Sequence, residues 1–187
     1  NQGRISGPAI ACTILKAVAL SQVQKSQAQA YQIGDRLCID PKIGTQDPAA
    51  YWRVEASCVE TGLLELSSEQ QALWTVDPRT HPQKWNVFRT ESRTLQAGDE
   101  IRWTRSLKAS PSWLEDPFKK GDRIKGQNAT VLSVHPTEQQ ATVRLRNGFE
   151  LCLNLSSTQE QHWDYAYAIP LHQAGPSLEQ SLLLLET

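Results

Sequence analysis

The sequence predicts a mainly β protein with a short helical segment near its N-terminus, arranged as two small antiparallel barrels. Three observations predict it. Short runs rich in β-branched and aromatic residues recur from Arg36 onward, separated by Asp-Pro, Pro-Arg and Gly turns. The plan occurs twice, each set opening with Gly-Asp (Gly34-Asp35 and Gly98-Asp99) ahead of a strand, as a weak internal duplication would. Ahead of both sets lies a stretch, 10–31, rich in Ala, Leu, Val and Gln. Many short strands at such spacing suit a barrel or a sandwich.

In the first stretch Ile14, Val18, Val23 and Ala30 can share one helical stripe, and Ser21 is a suitable N-cap for a helix over 22–30. A helical hairpin or two short helices are therefore expected, ending before Gly34. Strands are predicted next at 36–39, 51–56, 62–66 and 84–88. The second set is predicted at 100–104, 129–134, 141–145 and 149–155. Asn147-Gly148 between the last two supplies the positive φ values of a two-residue hairpin turn. Residues 106–125 form a polar insert, expected as a long exposed loop.

Composition excludes several function classes. The 19 Lys and Arg nearly balance the 20 Asp and Glu among 187 residues, so no overall charge draws the chain to nucleic acid or acidic lipid. The charge is unevenly spread: residues 89–146 hold eleven basic and seven acidic side chains, while 147–187 hold five acidic and no Lys or Arg. A local basic face is thus available. No run approaches the roughly 18 apolar residues of a membrane span, so no membrane partner is expected. Cys12, Cys38, Cys58 and Cys152 have no metal-like spacing, and Cys38, Cys58 and Cys152 lie among apolar residues. They are expected as reduced core residues of a cytoplasmic protein. Met is absent even at position 1, so the chain is expected to be part of a longer one.

Catalysis is not expected from this chain alone. It has no Gly-rich phosphate loop ending in Lys, and Lys119-Lys120-Gly121-Asp122 reverses that order. His81, His135, His162 and His172 are scattered, so neither a metal nor any other cofactor is expected. Tyr165, Tyr167 and Ile169 are read as alternating along a buried strand, with Asp164 near its start.

The best constellation is basic and aromatic. Arg102, Trp103 and Arg105 lie on or just after one strand, with Arg102 and Thr104 on the face opposite Trp103. Lys108, Lys119, Lys120, Arg123 and Lys125 crowd the insert, where Trp113 and Phe118 are interleaved with them. Single-strand binders pair cations for phosphates with aromatic rings for bases. The bland alternative is a solvated loop whose Trp113 packs on its own barrel.

The line His162-Trp163-Asp164-Tyr165-Ala166-Tyr167-Ala168-Ile169-Pro170-Leu171-His172 resembles the H-x-D-Y-A-Y-A-[IV]-T-[VA]-H-x-x-Q-G segment of RecD-like superfamily 1 DNA helicases. The likeness is nearest to TraI/TrwC-type (MobF) conjugative relaxase–helicases. Further matching lines are Gly34-Asp35, Asp77-Pro78, the block Gly98-Asp99-Glu100-Ile101-Arg102-Trp103-Thr104-Arg105, and Asn128 to Val134. The resemblance implies the accessory 2B region: two SH3-like barrels inserted in a motor domain and lying over the DNA strand. It divides the chain into a helical lead-in from the helicase core (1–30), a first barrel (31–95), an SH3-like barrel with a basic insert loop (96–160) and a strand segment returning to the core (161–187). Of the DNA-contacting line only His172 keeps its identity. Pro170 stands where the family has Thr, and Gly175-Pro176 where it has Gln-Gly. The expected partners are single-stranded DNA, the other domains of the parent relaxase–helicase, and the coupling protein of a type IV secretion channel. The alternative reading is a protein-interaction module or secretion recruitment signal derived from a vestigial helicase unit.

Overall fold

The computed structural model describes residues 7–39, 51–107 and 122–167 and is mainly β. Two antiparallel sheets hold its strands. The first has the order β1-β6-β2-β3-β4-β5, formed by β1 (Ala9–Ala17), β2 (Arg36–Ile39), β3 (Tyr51–Cys58), β4 (Leu63–Ser68), β5 (Leu73–Val76) and β6 (Trp85–Gln96). The second has the order β10-β9-β8-β7-β11, formed by β7 (Glu100–Trp103), β8 (Asn128–His135), β9 (Gln140–Leu145), β10 (Glu150–Asn154) and β11 (Trp163–Tyr165). Neither sheet closes into a barrel, which corrects the expected barrels. The antiparallel strand plan itself is as expected.

The internal repeat is visible bond by bond. In the first half the Gly34 N–H donates to Val54 O (2.8 Å), Val54 N–H to Asp35 O (2.9 Å), and Asp35 N–H to Gln32 O (3.0 Å). In the second half Gly98 N–H donates to Val131 O (2.8 Å), Val131 N–H to Asp99 O (2.8 Å), and Asp99 N–H to Gln96 O (3.2 Å). Each Asp carboxylate also accepts from the Gln N–H three residues back, at 3.0 Å for Gln32 and 2.9 Å for Gln96. Gly34 and Gly98 both sit at φ 92°, where a side chain is strained, so glycine is required in both turns. The register of each long hairpin shifts just past the same valine, between Val54 and Ala56 and between Val131 and Ser133. Each half then runs through a single-turn 3₁₀ helix (Pro82–Lys84, Thr158–Glu160) into a strand that pairs with the half's first strand. Trp85 and Trp163, on those returning strands, are both fully buried.

The N-terminal stretch departs from expectation. Its first part is strand β1 and not helix, because Ile10, Cys12 and Ile14 alternate inward at 2%, 8% and 1% exposure. All nine β1 residues pair with β6, from Ala9 opposite Gln96 to Ala17 opposite Phe88. Long-range ladder pairing thus overrides the helical composition. Helix survives as α1 (Gln22–Lys25) and a single 3₁₀ turn, Ala28–Ala30; α1 is capped by Ser21 as predicted, its hydroxyl accepting from Gln24 N–H and the Gln24 Oε1 accepting from Ser21 N–H. Val23 lies outward at 67% exposure, so the predicted stripe is not a core face.

β6 is the spine of the molecule. Its first residues pair with β2, and from Phe88 on it pairs with β1. Ile10, Cys12, Ile14 and Leu95 from this β1–β6 ribbon pack into the core of the second half with Ile101, Trp103, Val131, Val143 and Trp163. The first half has its own core of Leu37, Val54, Leu64, Leu66, Trp85 and Val87. Cys58 and Cys152 are exposed while Cys12 and Cys38 are buried, all four being free thiols. The β9–β10 hairpin turns through three residues, with Gly148 N–H on Leu145 O, rather than two. β11 buries Trp163, leaves Tyr165 half-buried and is followed by a largely exposed Tyr167. No helix among the described residues is long and apolar enough to cross a membrane.

Candidate functional site

The returning strand β11 decides where side chains meet. It pairs with β7 so that Trp163 faces Trp103, Asp164 faces Arg102 and Tyr165 faces Ile101. Trp103 is 2% exposed, so the odd face of β7 is core and its even face is left for Arg102. On that side a groove of about 290 Å³ runs between β1 and the β7–β11 pair. Lys16 of β1, Arg102, Thr104, Lys125, Asp164 and Tyr165 contribute to its walls.

The charges in and around this groove do not cancel. Lys16 Nζ lies 3.1 Å from Glu91, Glu91 lies 2.6 Å from Arg93, and Arg93 Nε lies 3.3 Å from Asp164. That chain holds two cations and two anions. Its two arginine and lysine contacts hold the Glu91 carboxyl below its ordinary range. Arg102 and Lys125 stand outside the chain. Arg102 donates from Nε to Asn128 Oδ1 at 3.1 Å, and among the described residues neither it nor Lys125 is in an ion pair. Thr104 and Lys125 are exposed. The groove is therefore a positively charged slot with a hydroxyl beside it, the donor set that phosphate oxygens require.

Tyr165 also contributes to the lining. Its hydroxyl donates to Thr94 O, which anchors the ring, and Tyr167 stacks on it with centroids 4.8 Å apart and planes 17° apart. Tyr167 is 71% exposed.

The remaining sequence-selected residues lie elsewhere. Arg105 points into the junction between the halves. There it donates to the Tyr51 hydroxyl and lies 3.3 Å from Cys38 Sγ, with its guanidinium 5.8 Å from the ring centres of Tyr51 and Phe88. Arg123 is 8% exposed and bound to Glu160. Trp103 is core. Lys108, Trp113, Lys119, Lys120 and His172 fall outside the described residues. The structure thus brings Arg102 and Lys125 together and turns Trp103, Arg105 and Arg123 away from the groove.

At the junction His162 is 5% exposed, between Tyr51 and Phe88. Arg105 can only donate, so the Tyr51 hydroxyl accepts from it and donates its own proton to His162 Nε2 at 2.5 Å. The ring proton is then on Nδ1. Burial, helped by the Arg105 charge, pulls the His162 pKa down to about 4, and burial pushes the Tyr51 hydroxyl up to about 12. Both are neutral at physiological pH. No group of three potential metal ligands occurs among the described residues.

Lys16, Tyr165 and Tyr167 escaped selection from sequence as contact residues. Lys16 carries its signal only once 9–17 is read as a strand, and the i, i+2 spacing of the two tyrosines places them on one side of an extended chain. Compared with known proteins, the chain matches no family model and no curated sequence.

Proposed function

We propose that the chain is a non-catalytic accessory region of a conjugative relaxase–DNA helicase, and that it holds and guides single-stranded DNA. The observation that carries the DNA part is the groove lined by Arg102, Lys125 and Thr104, with both cations outside the local ion-pair chain. Two such cations bind sugar-phosphate without reading sequence. The relaxase–helicase assignment rests on the residue lines from Gly98 to Arg105 and from His162 to His172. It carries with it a cytoplasmic setting and the other domains of the parent as partners.

Fluorescence anisotropy of a labelled mixed-sequence strand tests the reading. Micromolar binding is expected at low salt, weakening as salt rises, with the double variant R102A/K125A losing about 1.4 units of the log–log salt slope. A protein-interaction role, with a type IV secretion coupling protein as partner, is the second reading. It is favoured by the departures from the helicase line at Pro170 and Gly175-Pro176. Absence of strand binding at low salt would move the assignment to it.

A further inference from the structure

We infer that the Tyr165–Tyr167 pair is a base-stacking platform, which makes the groove's ligand a strand with unpaired bases rather than a duplex. The inference rests on the groove reading above and specifies its ligand. Tyr165 is fixed at both ends of its ring: it belongs to β11, opposite Ile101, and its hydroxyl is bonded to Thr94 O of β6. Tyr167 lies on it nearly parallel, at 17°, while presenting 71% of its surface. An aromatic ring held from behind and open in front loses little freedom when a flat apolar group covers it, which is the property of a stacking site. Tyr51 and Tyr31, by contrast, are packed into the cores at 5% and 4% exposure.

The position of the pair matters as much as its exposure. Tyr165 contributes to the lining of the groove that holds Lys16, Arg102 and Lys125, and Tyr167 lies two residues further along the chain, so one ligand can span the slot and the exposed ring. In a B-form duplex the base faces are covered by their neighbours. Only an unpaired base can turn its face to Tyr167. Glu91 and Asp164, the acids of the ion-pair chain, are held by Lys16 and Arg93, so the approach of a phosphate does not set them free, while Asp99 is the acid whose charge bears on Tyr165.

The test uses the whole 187-residue chain and two labelled strands of equal length, one of mixed sequence and one of abasic residues with the same phosphates. The wild-type protein is expected to bind the mixed strand roughly 5- to 100-fold more tightly than the abasic one. Tyr167→Ala should bring the two affinities together by weakening only the mixed strand, and Tyr167→Trp should restore the difference. Tyr167 is exposed enough for both changes to leave the fold intact, which circular dichroism verifies. Salt-dependent binding with equal affinity for the two strands would overturn the stacking platform while leaving the groove standing. Binding of neither strand at low salt would overturn the groove and the platform together.

Discussion

His162 shows how one side chain ties pH to the integrity of the molecule. In the folded chain burial holds its pKa near 4, against an ordinary value of 6.5. The unfolded chain therefore takes up a proton between those pH values that the folded chain refuses. Acidification through this window favours unfolding, and below about pH 4 the effect is complete. Its full size is about 3 kcal/mol. Urea unfolding at a series of pH values should show stability falling from pH 6.5 to 4, with a shallower fall in His162→Gln. The Tyr51 hydroxyl is its partner, so Tyr51→Phe removes one buried donor and leaves His162 Nε2 and the Arg105 guanidinium without it. A loss of about 1–3 kcal/mol is expected in the same measurement. Equal stability of wild type and Tyr51→Phe would show that the short bond does not hold the halves together.

At the scale of elements, the repeated Gln-x-Gly-Asp turn makes the sharpest prediction. Gly34 has open space around it, so the cost of Gly34→Ala is that of φ 92° alone, about 1 kcal/mol or somewhat more. Removing the carboxylate in Asp35→Ala is more serious. Asp35 is 2% exposed and accepts from both the Gln32 N–H and Arg89 Nε, leaving a buried donor and a cation behind. Thermal melts should rank the two in that order. This motif was legible in the sequence as a repeated Gly-Asp, since glycine in a turn and aspartate beside it are local signals. Most strands were legible for the same reason, as were Ser21 and its helix. β1 was not, because its inward residues Ile10, Cys12 and Ile14 are interleaved with Ala and Leu, which suit a helix equally well. Only pairing with β6, some eighty residues away, makes it a strand. β5 was missed because its burial is slight, with Val76 alone fully inside. The groove was half legible. Arg102 and Lys125 stand out as cations, but the turning of Arg105 and Arg123 into buried contacts depends on the opposite half of the molecule.

Across the whole molecule, β6 belongs to both cores. Its first residues complete the first half, and the β1–β6 ribbon supplies Ile10, Cys12, Ile14 and Leu95 to the second. His162, Arg105 and the Leu15 N–H bond to Gln161 O close the same junction. The described halves should therefore unfold together: denaturation followed by Trp fluorescence and by far-UV circular dichroism should give coincident curves, and two separated transitions would show independent units. Ile14→Ala, at the centre of the ribbon, should lower the single midpoint with a loss of about 2–5 kcal/mol. The shared ribbon also fixes the groove, because Lys16 stands on β1 and Arg102 on β7. The proposed role of this groove is that of a single-strand phosphate track. The most direct measurement is the salt dependence of single-strand binding by the wild type and by R102A/K125A. Binding by both is expected at low salt, with a log–log slope smaller by about 1.4 in the variant. An identical slope for the two proteins, or no binding by the wild type at low salt, would contradict it.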